Sequence, residues 1–175
     1  MLQIVIIING RGGVGKDTLC SFAGKKYRVT NISAITPIKE IAHQYGWNGE
    51  KDSKSRKFLA DLKKTFIEYN DLPFQYLMTE YRRFLHSSNQ ILFVHIREGE
   101  EIDKFKNYVK IPCITLLIRR NLVKDWGNPS DDDVENYNYD YVYDNNEPLT
   151  AAERYFCMFL QKIVFTFIGT GEENE

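Results

Sequence analysis

Cysteine is scarce in this chain, and Cys20, Cys113 and Cys157 stand far apart with no C-x-x-C spacing. That excludes a disulfide framework and a zinc knuckle, and a reducing cytoplasm is the expected compartment. No apolar run is long enough to span a bilayer: Ile4–Ile8 is far too short, and Tyr155–Ile168 is interrupted by Gln161 and Lys162. Residues 1–10 lack the basic start and small-residue cleavage site of a secretory leader, so neither leader nor membrane partner is expected. Neither sign of charge dominates. With 23 Lys+Arg against 24 Asp+Glu the formal net charge is -1, which removes the broad positive field on which non-specific nucleic-acid binding depends. What is present is ordinary globular material, 43% hydrophobic and 27% charged over 175 residues. At roughly 100–200 residues per domain this fits one domain, 1–175.

Short β-branched runs alternate with helical patterns along the chain. Leu2–Ile8 reads as a strand buried on both faces, followed by weaker or comparable runs at Arg28–Ile32, Ile91–Ile96, Ile111–Ile118 and Tyr141–Tyr143. Helices are expected at Lys16–Tyr27, Thr36–Tyr45, Gly99–Val109 and about Thr150 to Thr166. Two longer ones lie between the second and third strands, separated by Pro73. Their apolar stripes, Phe58, Leu59, Leu62, Phe66 and Ile67, then Phe74, Leu77, Met78, Tyr81 and Leu85, are expected to pack in the core. Five strands alternating with helices predict an α/β fold, a parallel sheet covered by helices on both faces.

The chemistry is concentrated at the end of the first strand. Asn9–Thr18 reads N-G-R-G-G-V-G-K-D-T, in which Gly10, Gly15 and Lys16 satisfy G-x-x-x-x-G-K between a strand and a helix. Such a loop turns its backbone N–H groups around phosphate oxygens, and the helix N-terminus adds partial positive charge. Lys16 carries a point charge to the β- and γ-phosphates. The expected ATP-binding set is therefore Gly10, Arg11, Gly12, Gly13, Val14, Gly15, Lys16, Asp17 and Thr18. Where Ser or Thr usually follows the lysine the chain has Asp17, a hard oxygen ligand suited to Mg²⁺; the alternative is an acidic residue favoured in a first helical turn. Arg97, just past the end of a buried strand, stands where open α/β sheets place their ligands.

These residues resemble the P-loop nucleoside monophosphate kinases, and most closely the branch of phage deoxynucleoside monophosphate kinases and phosphomevalonate kinases, in which G-K-D-T is typical. The similarity extends through T-P-I-K at Thr36–Lys39, an Arg-led helix at Arg56, Arg97 after the third strand, Arg119-Arg120 after the fourth, and Asp144–Asn145 after the fifth. The resemblance implies a three-layer α/β/α P-loop NTPase fold with a five-stranded parallel sheet. It further implies an acceptor-binding helical region at about 36–88 and a short lid at about 119–138. Lys39, Arg56 and Arg97 would face the acceptor phosphate, Arg119 and Arg120 would serve the transferring phosphoryl group together with Lys16 and Arg97, and Asn145 would border the adenine. Where the family usually has D-x-R, this chain has His95-Ile96-Arg97, leaving Asp17 as the nearby acidic group. Asp131-Asp132-Asp133 reads as a solvated or capping run, since consecutive residues cannot all face one ion.

The expected activity is transfer of the γ-phosphoryl of ATP, with Mg²⁺, to a small phosphate-bearing acceptor, a nucleoside or deoxynucleoside monophosphate first. A phosphomevalonate-type acceptor is the alternative within enzymes. A nucleotide-binding sensor with little transferase activity is the alternative outside them, motivated by His95. The oligomeric state is open.

Overall fold

The computed structural model describes residues 3–121 and 134–169. Five strands, β1 (Ile4–Asn9), β2 (Val29–Ser33), β3 (Ile91–His95), β4 (Cys113–Arg119) and β5 (Tyr141–Asp144), form one sheet in the order β2-β3-β1-β4-β5, and every pairing is parallel. The connecting helices are α1 (Lys16–Ala23), α2 (Thr36–Gln44), α3 (Ser53–Asn70), α4 (Leu72–Leu85), α5 (Gly99–Tyr108) and α6 (Leu149–Gly169). The α/β class and five-stranded parallel sheet read from the sequence are therefore present. Strand limits differ from expectation by one or two residues. α1 stops four residues early, as the bonds just beyond Gly24 tighten to i→i−3, with Lys25 N donating to Phe22 O and Lys26 N to Ala23 O.

β1 explains the layering. All six of its residues are buried, and side chains alternate between faces with period two. Ile4, Ile6 and Ile8 join Leu19 of α1 and Phe156, Leu160 and Ile163 of α6 in one core. Val5 and Ile7 join Leu77, Tyr81 and Phe84 of α4 with Ile102 and Phe105 of α5 in the other. At roughly 1.5–3 kcal/mol for each fully buried large apolar side chain, these two faces hold the central strand rigidly, and the loop leaving its C-terminal end inherits that rigidity.

The expectation of core packing fails for α3, which holds no buried residue. Phe58 and Ile67 are 44% and 38% exposed. The helix packs on α2 and α4 rather than on a face of the sheet, so its apolar stripe is only partly covered. Asp52 caps it by accepting from Ser55 N at 2.7 Å. Asp71, in the left-handed region with φ 53°, then turns the chain into α4, with Pro73 in its first turn. α2, α3 and α4 together make up most of the expected 36–88 region. Of the expected lid, residues 122–133, including Asp131-Asp132-Asp133, lie outside the described residues.

Candidate phosphoryl-transfer site

The loop after β1 is shaped by glycines that no other residue replaces. Gly10 has φ +144°, and a Cβ there would meet Ile118 O of β4 at 2.4 Å, so the loop lies directly against the neighbouring strand. Gly15 has φ +93° and caps α1 without a side-chain hydrogen bond, which leaves the first N–H groups of the helix available to an anion. Lys16 folds back over this loop, its Nζ donating to Gly10 O and, at 2.9 Å, to Arg11 O. Behind it, Asn145 is buried; its Nδ2 donates to Val14 O at 2.8 Å and its backbone N to Arg119 O at 2.7 Å. The Asn145 side chain thus braces the glycine loop from behind, while the segment after β5 is expected to border a base through its backbone.

A second group of residues gathers at the ends of β2 and β3. His95, with its side chain 14% exposed, has Nε2 2.8 Å from Asn31 Oδ1, 3.8 Å from Cys20 Sγ and 3.9 Å from Asp17 Oδ1. The amide oxygen and the carboxylate both accept, so the ring proton sits on Nε2. Burial first, then the positive charges of Lys16, Arg97 and Lys39, lower the His95 pKa to about 4 against the pull of Asp17. His95 is neutral at pH 7. The Asp17 side chain is 95% exposed in the first turn of α1. Lys39 is exposed as a residue, yet partial desolvation of its ammonium group lowers its pKa, with Lys51 and Arg97 adding to this and Asp17 opposing. Lys39, Arg97, Asp17 and His95 therefore share one electrostatic field. Arg97 is half-buried, and Arg56 stands half-buried on a further element, the second turn of α3.

On the other side of the loop, Glu135 faces two cations. Its carboxylate is 3.3 Å from Arg11 Nε and 3.7 Å from Arg119 Nε. Arg11, Val14, Ile118, Arg119, Arg120 and Asn121 line the hollow there, so both arginines expected to serve the transferring group border the phosphate loop, exposed to solvent. Asn121 N donates to Asn146 Oδ1 at 2.7 Å, which ties the end of β4 to the loop after β5.

The site is also clamped from outside. Lys63 of α3, with its side chain 12% exposed, reaches Glu98 Oε2 at 2.7 Å and Glu101 Oε2 at 2.9 Å. Glu98 directly follows Arg97, so this contact fixes α3, which carries Arg56, against the turn that carries Arg97. Burial, and then Glu98, push Glu101 up to about 7 against the attraction of Lys63, whereas Lys63 holds Glu98 below its ordinary value despite burial.

Sequence reasoning missed Asn9, Asn31, Glu135 and Tyr139. Asn9 had a readable signal, a polar side chain closing a fully apolar strand. Asn31 and Glu135 had none, because only the parallel register and the return of the chain before β5 bring them to the loop.

A Mg²⁺ ion would find a carboxylate in Asp17 and a hydroxyl in Thr18, both exposed in the first turn of α1. Among the described residues no group of three or more His, Cys, Asp or Glu could enclose a metal. One carboxylate plus phosphate oxygens and waters suits Mg²⁺, which seldom takes an all-protein cage. The residues present fit the ion. Among the described residues no helix is long and apolar enough to cross a membrane.

No protein-family model matches the chain, and no curated protein matches it. Solved structures do. TT1252 from Thermus thermophilus is 16% identical with a TM-score of 0.54, covering 93% of this chain and 98% of its own. Shikimate kinase from Aquifex aeolicus is 14% identical with a TM-score of 0.53 over the same shares, 93% and 98%. A putative kinase from Chloroflexus aurantiacus is 12% identical with a TM-score of 0.53, covering 91% and 97%. At such identities the likeness is one of fold alone: the chain shares the three-layer α/β/α fold of these proteins over more than nine-tenths of its length.

Proposed function

We propose that this protein is an ATP-dependent small-molecule kinase, contained in a single domain, that moves the γ-phosphoryl group to a phosphate on a nucleoside or deoxynucleoside monophosphate. The observation that carries this reading is the arrangement at the C-terminal edge of the sheet. A glycine loop with Lys16 leaves β1, and Lys39 of α2 shares a field with Arg97, just past the end of β3. Transfer between two anions needs positive charge on both, fixed before reaction. The loop and Lys16 would hold the donor. Lys39, Arg56 and Arg97 would hold the acceptor, and Arg119 or Arg120 would meet the charge that grows on the phosphoryl group in flight. Before nucleotide binds, Lys16 rests on the loop's own carbonyls, so ATP exchanges those bonds for phosphate oxygens. Asp17 would hold Mg²⁺ beside the phosphates, and the ion would supply charge that offsets part of theirs. A phosphate acceptor needs no strong base, which agrees with a His95 that is neutral and already committed to Asn31.

A second reading, nucleotide binding with little transfer, also rests on His95, since it fills the position at which the resembling kinases carry an acid. The test is ADP formation from ATP and Mg²⁺ with a panel of ribo- and deoxyribonucleoside monophosphates, phosphomevalonate and shikimate. Stimulation by a monophosphate supports the first reading. Stimulation by shikimate alone makes the acceptor a hydroxyl, and ATP binding without stimulation by any member makes the protein a sensor.

A further inference from the structure

Among the described residues the buried polar side chains are Asn9, Thr115 and Asn145. Thr115 is engaged with Asp140, and Asn145 braces Val14. Asn9 does something different, because its three hydrogen bonds lead to three separate segments. Its Oδ1 accepts from Gly10 N at 2.8 Å, at the first bend of the phosphate loop. Its Nδ2 donates to Arg97 O at 2.9 Å and to the Tyr139 hydroxyl at 2.8 Å. That hydroxyl in turn donates to Val134 O at 2.7 Å.

The direction of every proton in this chain is determined. Gly10 N only donates and Arg97 O only accepts, so the amide of Asn9 has one possible orientation. Val134 O only accepts, so the Tyr139 hydrogen points to it and the Tyr139 oxygen receives Asn9. The β1–β3 ladder pairs Ile8 with His95, and Asn9 lies one step beyond it, where its side chain takes over the contact to the residues after β3. A 1% exposed side chain at the end of the central strand has no room to satisfy these groups in a second way.

We infer that Asn9 is a positioning residue that couples occupancy of the phosphate loop to the placement of Arg97 and of the Val134–Tyr139 segment, which carries Glu135. The inference rests on the nucleotide-binding half of the proposed function and not on the identity of the acceptor. Movement of Gly10 towards a phosphate pulls on Oδ1, and the same rigid amide carries the shift to the Arg97 carbonyl and through Tyr139 to Val134. Thus nucleotide binding at one strand end sets the cation at the next.

The test is amide hydrogen exchange of the full chain with and without Mg²⁺ and the non-hydrolysable analogue AMP-PNP, whose binding is measured in parallel by calorimetry. In the wild type the analogue should slow exchange at least threefold in residues 10–18 and also in residues 97–102 and 134–139. Asn9→Asp keeps an acceptor for Gly10 but loses both donors. It should retain the slowing at 10–18 and lose it at the other two segments. Tyr139→Phe removes one hydroxyl near the surface end of the chain of bonds, and should lose the slowing at 134–139 while keeping it at 97–102. A merely structural Asn9 would speed exchange with and without analogue alike and leave the analogue-dependent difference intact. If the wild type is slowed only at 10–18, or if either variant keeps the wild-type pattern, the coupling is wrong. If Asn9→Asp does not fold, Tyr139→Phe alone decides. If calorimetry shows no binding to the wild type, the nucleotide reading fails first and takes the coupling with it.

Discussion

Asn145 fastens the loop after β5 to the phosphate loop through one bond, its Nδ2 donating to Val14 O at 2.8 Å. The same amide is what a Cβ on Gly15 would strike, at 2.7 Å. Asn145 and Gly15 are therefore one device: the glycine makes room for the amide, and the amide fixes the peptide preceding the glycine. Asn145→Ala should lower the unfolding free energy by about 1–3 kcal/mol, since it leaves the Val14 carbonyl without that partner in a buried place. Gly15→Ala should cost both stability and ATP affinity, because its Cβ displaces the Asn145 amide and the strain at φ +93° distorts the loop itself. Urea midpoints and calorimetric ATP affinities of the two variants separate these effects.

His95 should make the fold sensitive to acid. A proton binds the unfolded histidine at its ordinary value of 6.5, but binds the folded one only at about 4. The stability this contributes is complete above pH 6.5 and is lost as pH falls towards 4, on the order of 3 kcal/mol across that window. His95→Gln keeps a donor for Asn31 and cannot titrate. Relative to the wild type it should gain stability steadily from pH 7 to pH 4, read from urea midpoints at several pH values. An unchanging difference would mean that His95 titrates normally.

Glu101 should act in the opposite sense. Its folded value is raised to about 7, so its contribution is present below its ordinary 4.5 and disappears as pH rises through 7. Glu101→Gln holds the neutral state at all pH values. It should be more stable than the wild type at pH 8, with a much smaller difference near pH 5. Lys63→Met leaves Glu98 and Glu101 facing each other without their cation, and should lower stability more at pH 8 than at pH 5. Thermal melts at the two pH values check both signs.

The cations should divide by role once an acceptor is in hand. Arg97→Ala should raise KM for the acceptor roughly 10–100-fold, the worth of about 1.5–3 kcal/mol in charged hydrogen bonds, with ATP affinity nearly unchanged. Arg119→Ala or Arg120→Ala should instead lower kcat, on the order of 10³-fold for whichever meets the transferring group. Steady-state kinetics with each substrate varied in turn distinguishes the two patterns. Near-normal kcat in the Arg119→Ala, Arg120→Ala double variant would make these arginines surface cations, Arg119 paired with Glu135.

Much of this architecture was legible in the sequence, for physical reasons that also mark the limits. The buried run Ile4–Ile8 followed by Gly10, Gly15 and Lys16 could be read directly, because strand, turn and helix start are local and each carries its own residue types. The apolar stripe of α3 misled, because helical periodicity reports a face that prefers cover without saying what covers it. The Asn145 side chain turns inward to Val14, a contact spanning most of the chain that no local pattern announces. Likewise the Glu135 bridge between Arg11 and Arg119, and the Asn31 partner of His95, exist only once the sheet order is known.

The most direct measurement is transfer of labelled γ-phosphoryl from ATP, with Mg²⁺, to nucleoside and deoxynucleoside monophosphates, comparing the wild type with Lys16→Ala. The wild type should move the label onto at least one monophosphate, giving the diphosphate and unlabelled ADP in equal amounts, and Lys16→Ala, lacking the charge on the β- and γ-phosphates, should move essentially none. Label that stays on ATP or passes only to inorganic phosphate with every monophosphate, or transfer that survives Lys16→Ala unchanged, would contradict a kinase built on this loop.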